Sequence, residues 1–378
     1  MAPLVVAHVV PSLHPGGPET GLVDLAAVAA EAGIAMQVVA LAATSDTTQV
    51  SALRALGVPV AELGTAPWDP RAGLAVARAL RGRGVAVVHS HLPPADVAGA
   101  VAARRLGVPA VSTLHRIGNE PADRVDRLRR TAKIVARQRF TARTIAIAQV
   151  QREWYRGLVD RRGRAEEVVL VPNGVTDPGP VDPAARARLR AALRVDDGAA
   201  LAVLAAPMRR DGAGVDGGHE LLLHALELLP GGVPLVVALA GDGPLRPYLE
   251  TRVDGLDALR DRVRFVPRHH DLVALLGAAD LALHTAATGA QPTALLRATA
   301  AGLPVVATRV GGVPEIVSSA TGVLVPLAPA PIADALAGLA DAPERRARLG
   351  AAARRRYEAE FEALGWARRL RGVYDGVL

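Results

Sequence analysis

Three histidines stand where apolar runs of the sequence end. His89 and His91 lie in residues 87–93 (VVHSHLP), and His115 closes residues 112–115 (STLH). Ligands of doubly wound sheets bind beyond the carboxyl ends of the strands, so these imidazoles could bind a polar substrate. Purely structural histidines are the alternative. The alternation of His89 and His91 also resembles the spacing of two metal ligands on a strand, but no third ligand with suitable spacing is evident. No metal site is therefore predicted.

A glycine pair follows the first apolar run. Residues 11–20 (PSLHPGGPET) contain Gly16 and Gly17 and open a predicted helix. Glycines let the backbone pass close to a ligand, and the free N–H groups at a helix start attract anions. The loop is therefore a candidate anion-binding turn, although many strand-to-helix turns carry glycines without such a role.

Short apolar runs alternate with helices rich in Ala, Leu and Arg, which is typical of a parallel sheet covered on both faces. The sequence therefore predicts an α/β protein with two doubly wound units. The predicted strands are 5–10, 37–41, 86–89, 110–114, 144–148 and 168–171 in the first unit, and 200–205, 235–240, 263–266, 281–284, 305–308 and 322–325 in the second.

The boundary between the two units is predicted near residue 178. Residues 171–183 (VPNGVTDPGPVDP) are rich in turn formers and cannot form a regular element. The predicted domains are residues 1–178 and 179–355. A last helix is predicted over 343–378, and its final part, 356–378, carries Phe361, Trp366 and Tyr374, which could pack back against the first domain.

The composition excludes several classes of protein. The chain of 378 residues has no cysteine, so disulfides, thiolate metal sites and cysteine nucleophiles are excluded. Aromatic residues are 3% of the total, so small aliphatic side chains must fill the interior. No run of eighteen or more apolar residues free of charge is present, and the N-terminus enters a strand without a leader pattern. These features predict a cytoplasmic protein.

The basic residues are almost all arginines. The formal net charge is +7, and Lys133 is the single lysine. A generic basic surface accounts for this balance, and no nucleic-acid partner is predicted. One segment, from Arg124 to Arg143, concentrates eight basic residues against the single acid Asp126. It predicts either a helix that contacts anionic lipid or a phosphorylated acceptor, at the inner face of the membrane, or a solvated helix face.

Four motifs occur in a defined order along the chain: Gly16-Gly17-x-Glu19, the VPNGV of residues 171–175, the GDGP that begins at Gly241, and AAGLPVVATRVGGVPEIV at 300–317. Together they resemble retaining glycosyltransferases of family 4. The resemblance implies the GT-B fold, in which two Rossmann-like domains face each other across a cleft. The first domain would serve the acceptor, and the second would bind a nucleotide-diphosphate sugar.

The resemblance also implies roles for individual residues. His115 matches the family histidine near the transferred sugar, and its implied role is hydrogen bonding rather than base catalysis. The implied donor-binding residues are Gly16, Gly17, Glu19, Gly241, Gly243, Thr293, Ala294 and Leu295. The expected acceptor is a small molecule or a lipid, and no metal or other cofactor is expected.

The chain departs from the family at two donor motifs. The two glutamates of the Glu-x7-Glu pattern fall on Gly289 and Arg297, so Arg297 would bind something other than hydroxyls, for example a phosphate. The family Arg and Lys that neutralise the diphosphate fall on Pro207 and Gly217. Arg209 and Arg210 lie close by and could replace them, because arginine binds phosphate well.

Two hypotheses follow from this conflict. The first is an active retaining glycosyltransferase with an altered donor site. The second is a catalytically silent GT-B pseudoenzyme that serves as the partner or scaffold of an active enzyme. Another chemistry on the same fold, such as nucleotide-sugar epimerisation, or a plain nucleotide-binding module, remains a further alternative.

Overall fold

The computed structural model describes residues 2–14, 16–117, 124–159, 167–210, 216–266 and 271–378. The chain forms two compact units, Met1–Thr176 with Phe361–Leu378, and Asp177–Glu360. The divisions therefore fall at 176/177 and 360/361, where the sequence predicts 178/179 and 355/356. Each unit is a parallel α/β sheet, which confirms the predicted fold class.

The sheet of the first unit has seven parallel strands in the order β3-β2-β1-β4-β5-β6-β7. Its strands are β1 Leu4–Val10, β2 Ile34–Ala40, β3 Val60–Glu62, β4 Val87–His91, β5 Ala110–Leu114, β6 Arg143–Ala146 and β7 Val168–Leu170. Its helices are α1 Gly17–Ala29, α2 Thr48–Ala55, α3 Ala72–Leu80, α4 Pro93–Leu106, α5 Arg124–Phe140 and α6 Gln149–Val159.

The second unit repeats this arrangement with six parallel strands in the order β10-β9-β8-β11-β12-β13. Its strands are β8 Ala200–Ala205, β9 Leu235–Ala240, β10 Val263–Val266, β11 Leu281–His284, β12 Val305–Thr308 and β13 Gly322–Val325. Its helices are α7 Pro183–Ala192, α8 His219–Glu227, α9 Arg246–Asp254, α10 Asp257–Arg260, α11 Leu272–Ala278, α12 Thr293–Ala300, α13 Pro329–Ala340 and α14 Pro343–Arg356.

In both units the strand order reverses once, between β1 and β4 and between β8 and β11. The crevice at such a reversal is where open α/β sheets bind their ligands. The functional residues are therefore to be sought beyond the carboxyl ends of these four strands and of their neighbours.

Small aliphatic side chains fill the interior, as the composition predicts. The buried core of the second unit consists of Ala, Val, Leu, Ile and Met side chains. All five residues of β4 are buried, including His89 and His91, as are all five of β5, which is expected for central strands of a parallel sheet covered on both faces. Among the described residues, no helix is both long and apolar enough to span a bilayer.

The end of the chain differs from the single helix predicted over 343–378. A π-helical turn, Tyr357–Phe361, follows α14, and a second helix, α15 Ala363–Asp375, begins after it. The break arises because Glu362 is extended and pairs with Val175, whose N–H donates to the Phe361 carbonyl. Trp366 and Tyr374 of α15 are buried in the core of the first unit.

The same contact explains the glycine of the VPNGV motif. A Cβ on Gly174 would lie 2.8 Å from the carbonyl oxygen of Glu362 and 2.8 Å from the Cβ of Trp366. Gly174 therefore lets the start of α15 approach the chain closely. The short edge strand β3 escaped prediction because its three residues are only half-buried and carry no clear apolar pattern.

Candidate functional site

The candidate site of the first unit is a group of four imidazoles. The register pairs His8 of β1 with His89 of β4, and His91 with Thr113 of β5, two residues before His115. Alternation along the strands places all of these side chains on one face of the sheet. That face is covered by α1 and α15, whose residues share a core with Val6, Val10, Val87 and Val111.

Hydrogen bonds link these imidazoles to one another. His8 Nδ1 lies 3.0 Å from His91 Nε2, and His91 Nδ1 lies 2.9 Å from His115 Nε2. His89 is held separately, with Nδ1 at 2.7 Å from the Tyr374 hydroxyl and Nε2 at 2.7 Å from Thr113 Oγ1. Both nitrogens of His89 and of His91 are therefore engaged.

Burial keeps these imidazoles neutral. His8, His89 and His91 are buried, and His115 is half-buried. Burial lowers the pKa of His8 to about 3. Burial, together with the positive charges of Arg137 and Arg116, also lowers the pKa of His115 to about 3. Burial and the neighbouring imidazoles hold the pKa values of His89 and His91 well below 6.5. All four rings are therefore uncharged at neutral pH.

His8 is the residue of this candidate site that sequence reasoning missed. The expectation that His89 and His91 lack a third potential metal ligand is wrong, because His8, His89 and His91 each offer a nitrogen within 4.8 Å of the others. The signal was the parallel pairing of β1 with β4, which local spacing does not reveal. A cation here would displace hydrogen bonds, since His8 Nε2 is the one nitrogen of these three rings without a described partner.

The predicted anion-binding turn of the first unit is lined by an acidic side chain. Gly16 precedes α1, and Glu19 lies in its first turn with 7% of its surface exposed. A Cβ on Gly16 would lie 2.5 Å from Glu19 Oε2, so the carboxylate rests on the glycine backbone. Gly16 is therefore in close contact with the end of the Glu19 side chain, and both Gly16 and Gly17 are exposed.

In the second unit, Gly241 and Gly243 bring two loops together. A Cβ on Gly241 would lie 2.1 Å from the carbonyl oxygen of Ala206, and one on Gly243 would lie 2.4 Å from that of Met208. The Met208 N–H donates to the Asp242 carbonyl, and the Leu245 N–H donates to the Met208 carbonyl. These glycines thus fix the loop that follows β8, which carries Arg209 and Arg210.

The two predicted arginines differ in their surroundings. Arg210 forms an ion pair with Glu220 of α8 at 2.5 Å. Arg209 is exposed, and its side chain makes no hydrogen bond or ion pair within the described part of the chain. A carboxylate, Asp216, accepts from the N–H groups of Gly218 and Glu220 and so caps the start of α8. Arg209 is therefore the arginine that remains available to an anion.

Close packing surrounds Gly217, the position at which the family lysine falls. A Cβ there would lie 3.0 Å from the Ala206 Cβ and 3.0 Å from the Pro207 carbonyl oxygen. Neighbouring Gly218 has φ of +93°, and a Cβ on it would lie 2.3 Å from the carbonyl carbon of Thr285. The turn into α8 is therefore packed against the β11 loop rather than open to a long basic side chain.

The start of α12 presents two amides. The N–H groups of Thr293 and Ala294 have no hydrogen-bond partner among the described residues. Leu295 differs, because its side chain is buried and its N–H donates to the Pro292 carbonyl at 3.0 Å. Leu295 is thus a core residue rather than a donor ligand. Arg297 is half-buried in the last turn of α12 and interacts with another residue.

A histidine lies beside the first of the two missing carboxylates. A Cβ on Gly289 would lie 3.7 Å from His284 Nε2, and the Gly289 carbonyl accepts from the Gly312 N–H. Burial lowers the pKa of His284 to about 4, and its Nδ1 is buried without a described partner. A neutral imidazole therefore occupies the neighbourhood of the absent glutamate.

The basic segment from Arg124 to Arg143 is only partly available to a ligand. Arg137 is buried, and its guanidinium lies 2.6 Å from the carboxylate of Asp96 and 3.0 Å from Ser112 Oγ. This ion pair anchors the second half of α5. The first half of the helix is exposed and includes two apolar residues, Val125 at 54% and Leu128 at 71%.

Comparison with known proteins shows that both units match families of glycosyltransferases. Residues 15–177 match the family described as Glycosyltransferase Family 4, and residues 212–342 match the family described as Glycosyl transferases group 1. The D-inositol 3-phosphate glycosyltransferase of Xylanimonas cellulosilytica is 33% identical over 327 residues, which cover 80% of this chain and 74% of the relative.

Two further proteins resemble the chain. The GDP-mannose-dependent alpha-(1-6)-phosphatidylinositol dimannoside mannosyltransferase of Mycobacterium tuberculosis is 34% identical over 131 residues, 35% of this chain and 33% of that protein. The crystal structure of Anabaena HepE in complex with UDP superposes with a TM-score of 0.83 over 99% of this chain and 100% of that one, at 21% identity. The structural likeness establishes the GT-B fold.

Proposed function

Because the chain belongs to glycosyltransferase family 4, we propose that it transfers a hexosyl group from a nucleoside-diphosphate sugar to a small-molecule or lipid acceptor, with retention of configuration. The family membership and the named relatives make the chain a glycosyltransferase of the hexosyltransferase type. The alternative of a silent partner or scaffold gains no support from these relatives. What the proposal must explain is catalysis without the two glutamates.

The proposed binding of the donor diphosphate depends mainly on Arg209. As the bond to the sugar breaks, the departing diphosphate gains negative charge, so a cation placed there lowers the barrier. Arg209 lies on the loop beyond β8, beside the reversal of the strand order, and its guanidinium is uncommitted in the described structure. Arg210 is held by Glu220 and would serve as a support. The amides of Thr293 and Ala294 would add two hydrogen bonds to the phosphates.

A cationic side chain and helix amides together can stabilise a diphosphate without a metal ion. We therefore propose a metal-independent reaction, in which the nucleoside diphosphate leaves bound to Arg209. His284 would take the place of the first glutamate near the sugar, where a neutral imidazole can exchange hydrogen bonds with a hydroxyl. His115 would contact the sugar or the acceptor from the end of β5.

Two relatives and the surface of α5 support the proposed acceptor class. The names of two relatives contain D-inositol 3-phosphate and phosphatidylinositol dimannoside, both of which carry phosphate. The exposed first half of α5 combines Val125 and Leu128 with Arg124, Arg127 and Arg129. Such a face suits the surface of an anionic membrane, where a lipid acceptor would be collected.

The test is a transfer assay with UDP-glucose and GDP-mannose as donors and D-inositol 3-phosphate and phosphatidylinositol as acceptors. Release of the nucleoside diphosphate and the mass of the product report transfer, and NMR of the anomeric proton reports configuration. We expect an α-linked product from one α-linked donor, unaffected by EDTA. A β-linked product would overturn retention, and the absence of transfer from a wider panel of nucleotide sugars would overturn the proposed activity.

A further inference from the structure

A chain of hydrogen bonds connects the half-buried His115 to the fully buried His8. It runs from His8 Nδ1 to His91 Nε2 over 3.0 Å and from His91 Nδ1 to His115 Nε2 over 2.9 Å. A neutral imidazole carries one N–H donor and one acceptor nitrogen. Because burial holds the pKa values of all three rings far below 7, each ring has a single proton to place.

The protons of this hydrogen-bond chain therefore have two possible arrangements. In the first, His8 donates from Nδ1 to His91, His91 donates from Nδ1 to His115, and the proton of His115 also lies on Nδ1. In the second, every proton lies on Nε2 and every hydrogen bond runs in the opposite direction. A mixed arrangement would set two donors or two acceptors against each other and lose one bond.

The buried end of the chain distinguishes the two arrangements. His8 Nε2 is buried and has no hydrogen-bond partner among the described residues. The second arrangement would put an N–H there without an acceptor, which costs the desolvation free energy of an unpaired buried donor. The first leaves a lone pair there, and buried acceptors without a full set of partners occur more often than orphaned N–H groups.

We propose that His8 and His91 are positioning residues that hold His115 with its proton on Nδ1, so that His115 donates a hydrogen bond to the bound ligand. The nature of that ligand, a sugar or acceptor hydroxyl, rests on the proposed function. His115 Nε2 is occupied by His91, so Nδ1 is the nitrogen left for the ligand. A ring protonated at Nδ1 cannot accept the acceptor's proton there, which excludes His115 as the general base through that atom.

The packing around the chain keeps the rings in place. The centroid of the His89 ring lies 4.3 Å from that of His91 and 5.0 Å from that of His8. His89 is itself fixed by Tyr374 and Thr113. A turn of the His89 ring would break its hydrogen bonds to β5 and α15, and a turn of the His91 ring would break its hydrogen bonds to His8 and His115.

The tautomers are measured directly on the intact protein by long-range ¹H–¹⁵N correlation of ¹⁵N-histidine at pH 7. We expect His8, His91 and His115 to be protonated at Nδ1 and bare at Nε2. Protons on Nε2 in the three rings, or doubly protonated rings, would overturn the proposal. Because the measurement needs no substrate, a failure of the proposed activity leaves this result unaffected, and the reverse also holds.

Two substitutions of similar size at His91 distinguish a positioning role from a purely structural role. In His91→Asn the side-chain amide can still donate to His115 Nε2, whereas His91→Leu removes the donor. We expect His115 to stay protonated at Nδ1 in the Asn variant and to populate Nε2–H in the Leu variant. His224→Asn, on the exposed side of α8, is the control and should leave the protonation of His115 unchanged.

The same pair has a kinetic readout in the transfer assay. We expect kcat to fall at least tenfold in His91→Leu and to remain within about threefold of wild type in His91→Asn. Equal tautomers in both variants would overturn the positioning role. If the Leu variant does not fold, the wild-type spectrum together with the Asn variant still decides the direction of the chain.

Discussion

At the scale of single residues, both candidate sites contain neutral imidazoles. The first unit holds His8, His89 and His91 in its interior with the half-buried His115 beside them, and the second unit has His284 beside the position of a missing carboxylate. Neutral imidazoles are cheaper to bury than carboxylates and still offer one donor and one acceptor each. Specific hydrogen bonds can therefore be made without a local charge.

The Tyr374 hydroxyl should contribute measurably to this network. In Tyr374→Phe, His89 Nδ1 loses its 2.7 Å partner while the ring of residue 374 keeps its packing. We expect the free energy of unfolding of the first unit to fall by about 1–3 kcal/mol, the cost of an unsatisfied buried polar atom. Urea unfolding followed by tryptophan fluorescence measures this, since Trp68, Trp154 and Trp366 all lie in the first unit.

The exposed Tyr248 of the second unit supplies the control for that experiment. Tyr248→Phe should leave the fluorescence transition within about 0.5 kcal/mol of wild type. A Tyr374→Phe variant that is equally stable would show that the Tyr374–His89 hydrogen bond adds nothing to the docking of α15.

At the scale of elements, loops beyond β8, β9 and β11 are fixed by contacts between backbones. Gly241, Gly243 and Gly218 each stand where a Cβ would collide with a neighbouring loop. Gly241 and Gly243 belong to the predicted donor-binding motif, and in the structure they also allow the loops that follow β8 and β9 to approach each other closely. The loop that carries Arg209 is thereby held in place at the reversal of the strand order.

The exposed first half of α5 leads to a separate prediction about binding to anionic membranes. In Leu128→Glu, a residue 71% exposed on the first half of α5 loses its apolar surface and gains a charge that anionic lipid repels. We expect binding to phosphatidylglycerol vesicles to weaken at least tenfold in a sedimentation assay. Leu56→Glu, at the end of α2 and 45% exposed, is the matched control. Binding that is equal on phosphatidylcholine vesicles would remove the electrostatic interpretation.

At the scale of the whole molecule, buried neutral histidines couple folding to pH. The pKa values of His8 and His115 are about 3 in the folded chain, against about 6.5 in an unfolded one. Between these values the unfolded chain binds more protons, so stability is complete above pH 6.5 and is lost as the pH falls towards 3. His89 and His91, with pKa values lowered in the same direction, add to this loss.

We therefore expect the free energy of unfolding of the first unit to fall steeply between pH 7 and pH 5. Each buried imidazole contributes up to ~1.4 kcal/mol per pH unit below 6.5. Urea titrations at pH 7, 6 and 5, followed by tryptophan fluorescence, check the slope. A stability that is the same at pH 7 and pH 5 would contradict the neutral state of the cluster.

Much of the fold could be predicted from the sequence because its signals are local. The strands β8 to β13 follow apolar runs whose bounds match the prediction, and four motifs in order indicate the family. The histidine network could not be predicted, because it depends on pairing between strands some eighty residues apart and on a helix at the other end of the chain. The ion pair of Arg210 with Glu220 depends in the same way on side-chain contacts, so the sequence could not separate Arg209 from Arg210.

The central claim is that Arg209 supports an active donor site in the absence of the two glutamates. Calorimetric titration of the protein with UDP, GDP and dTDP in EDTA tests it most directly, with Arg209→Ala and Arg210→Ala measured alongside. We predict that one nucleotide binds, and that Arg209→Ala weakens it at least tenfold, about 1.4 kcal/mol, while Arg210→Ala changes it less than threefold. Failure of all three nucleotides to bind, or equal binding to wild type and Arg209→Ala, would contradict the account.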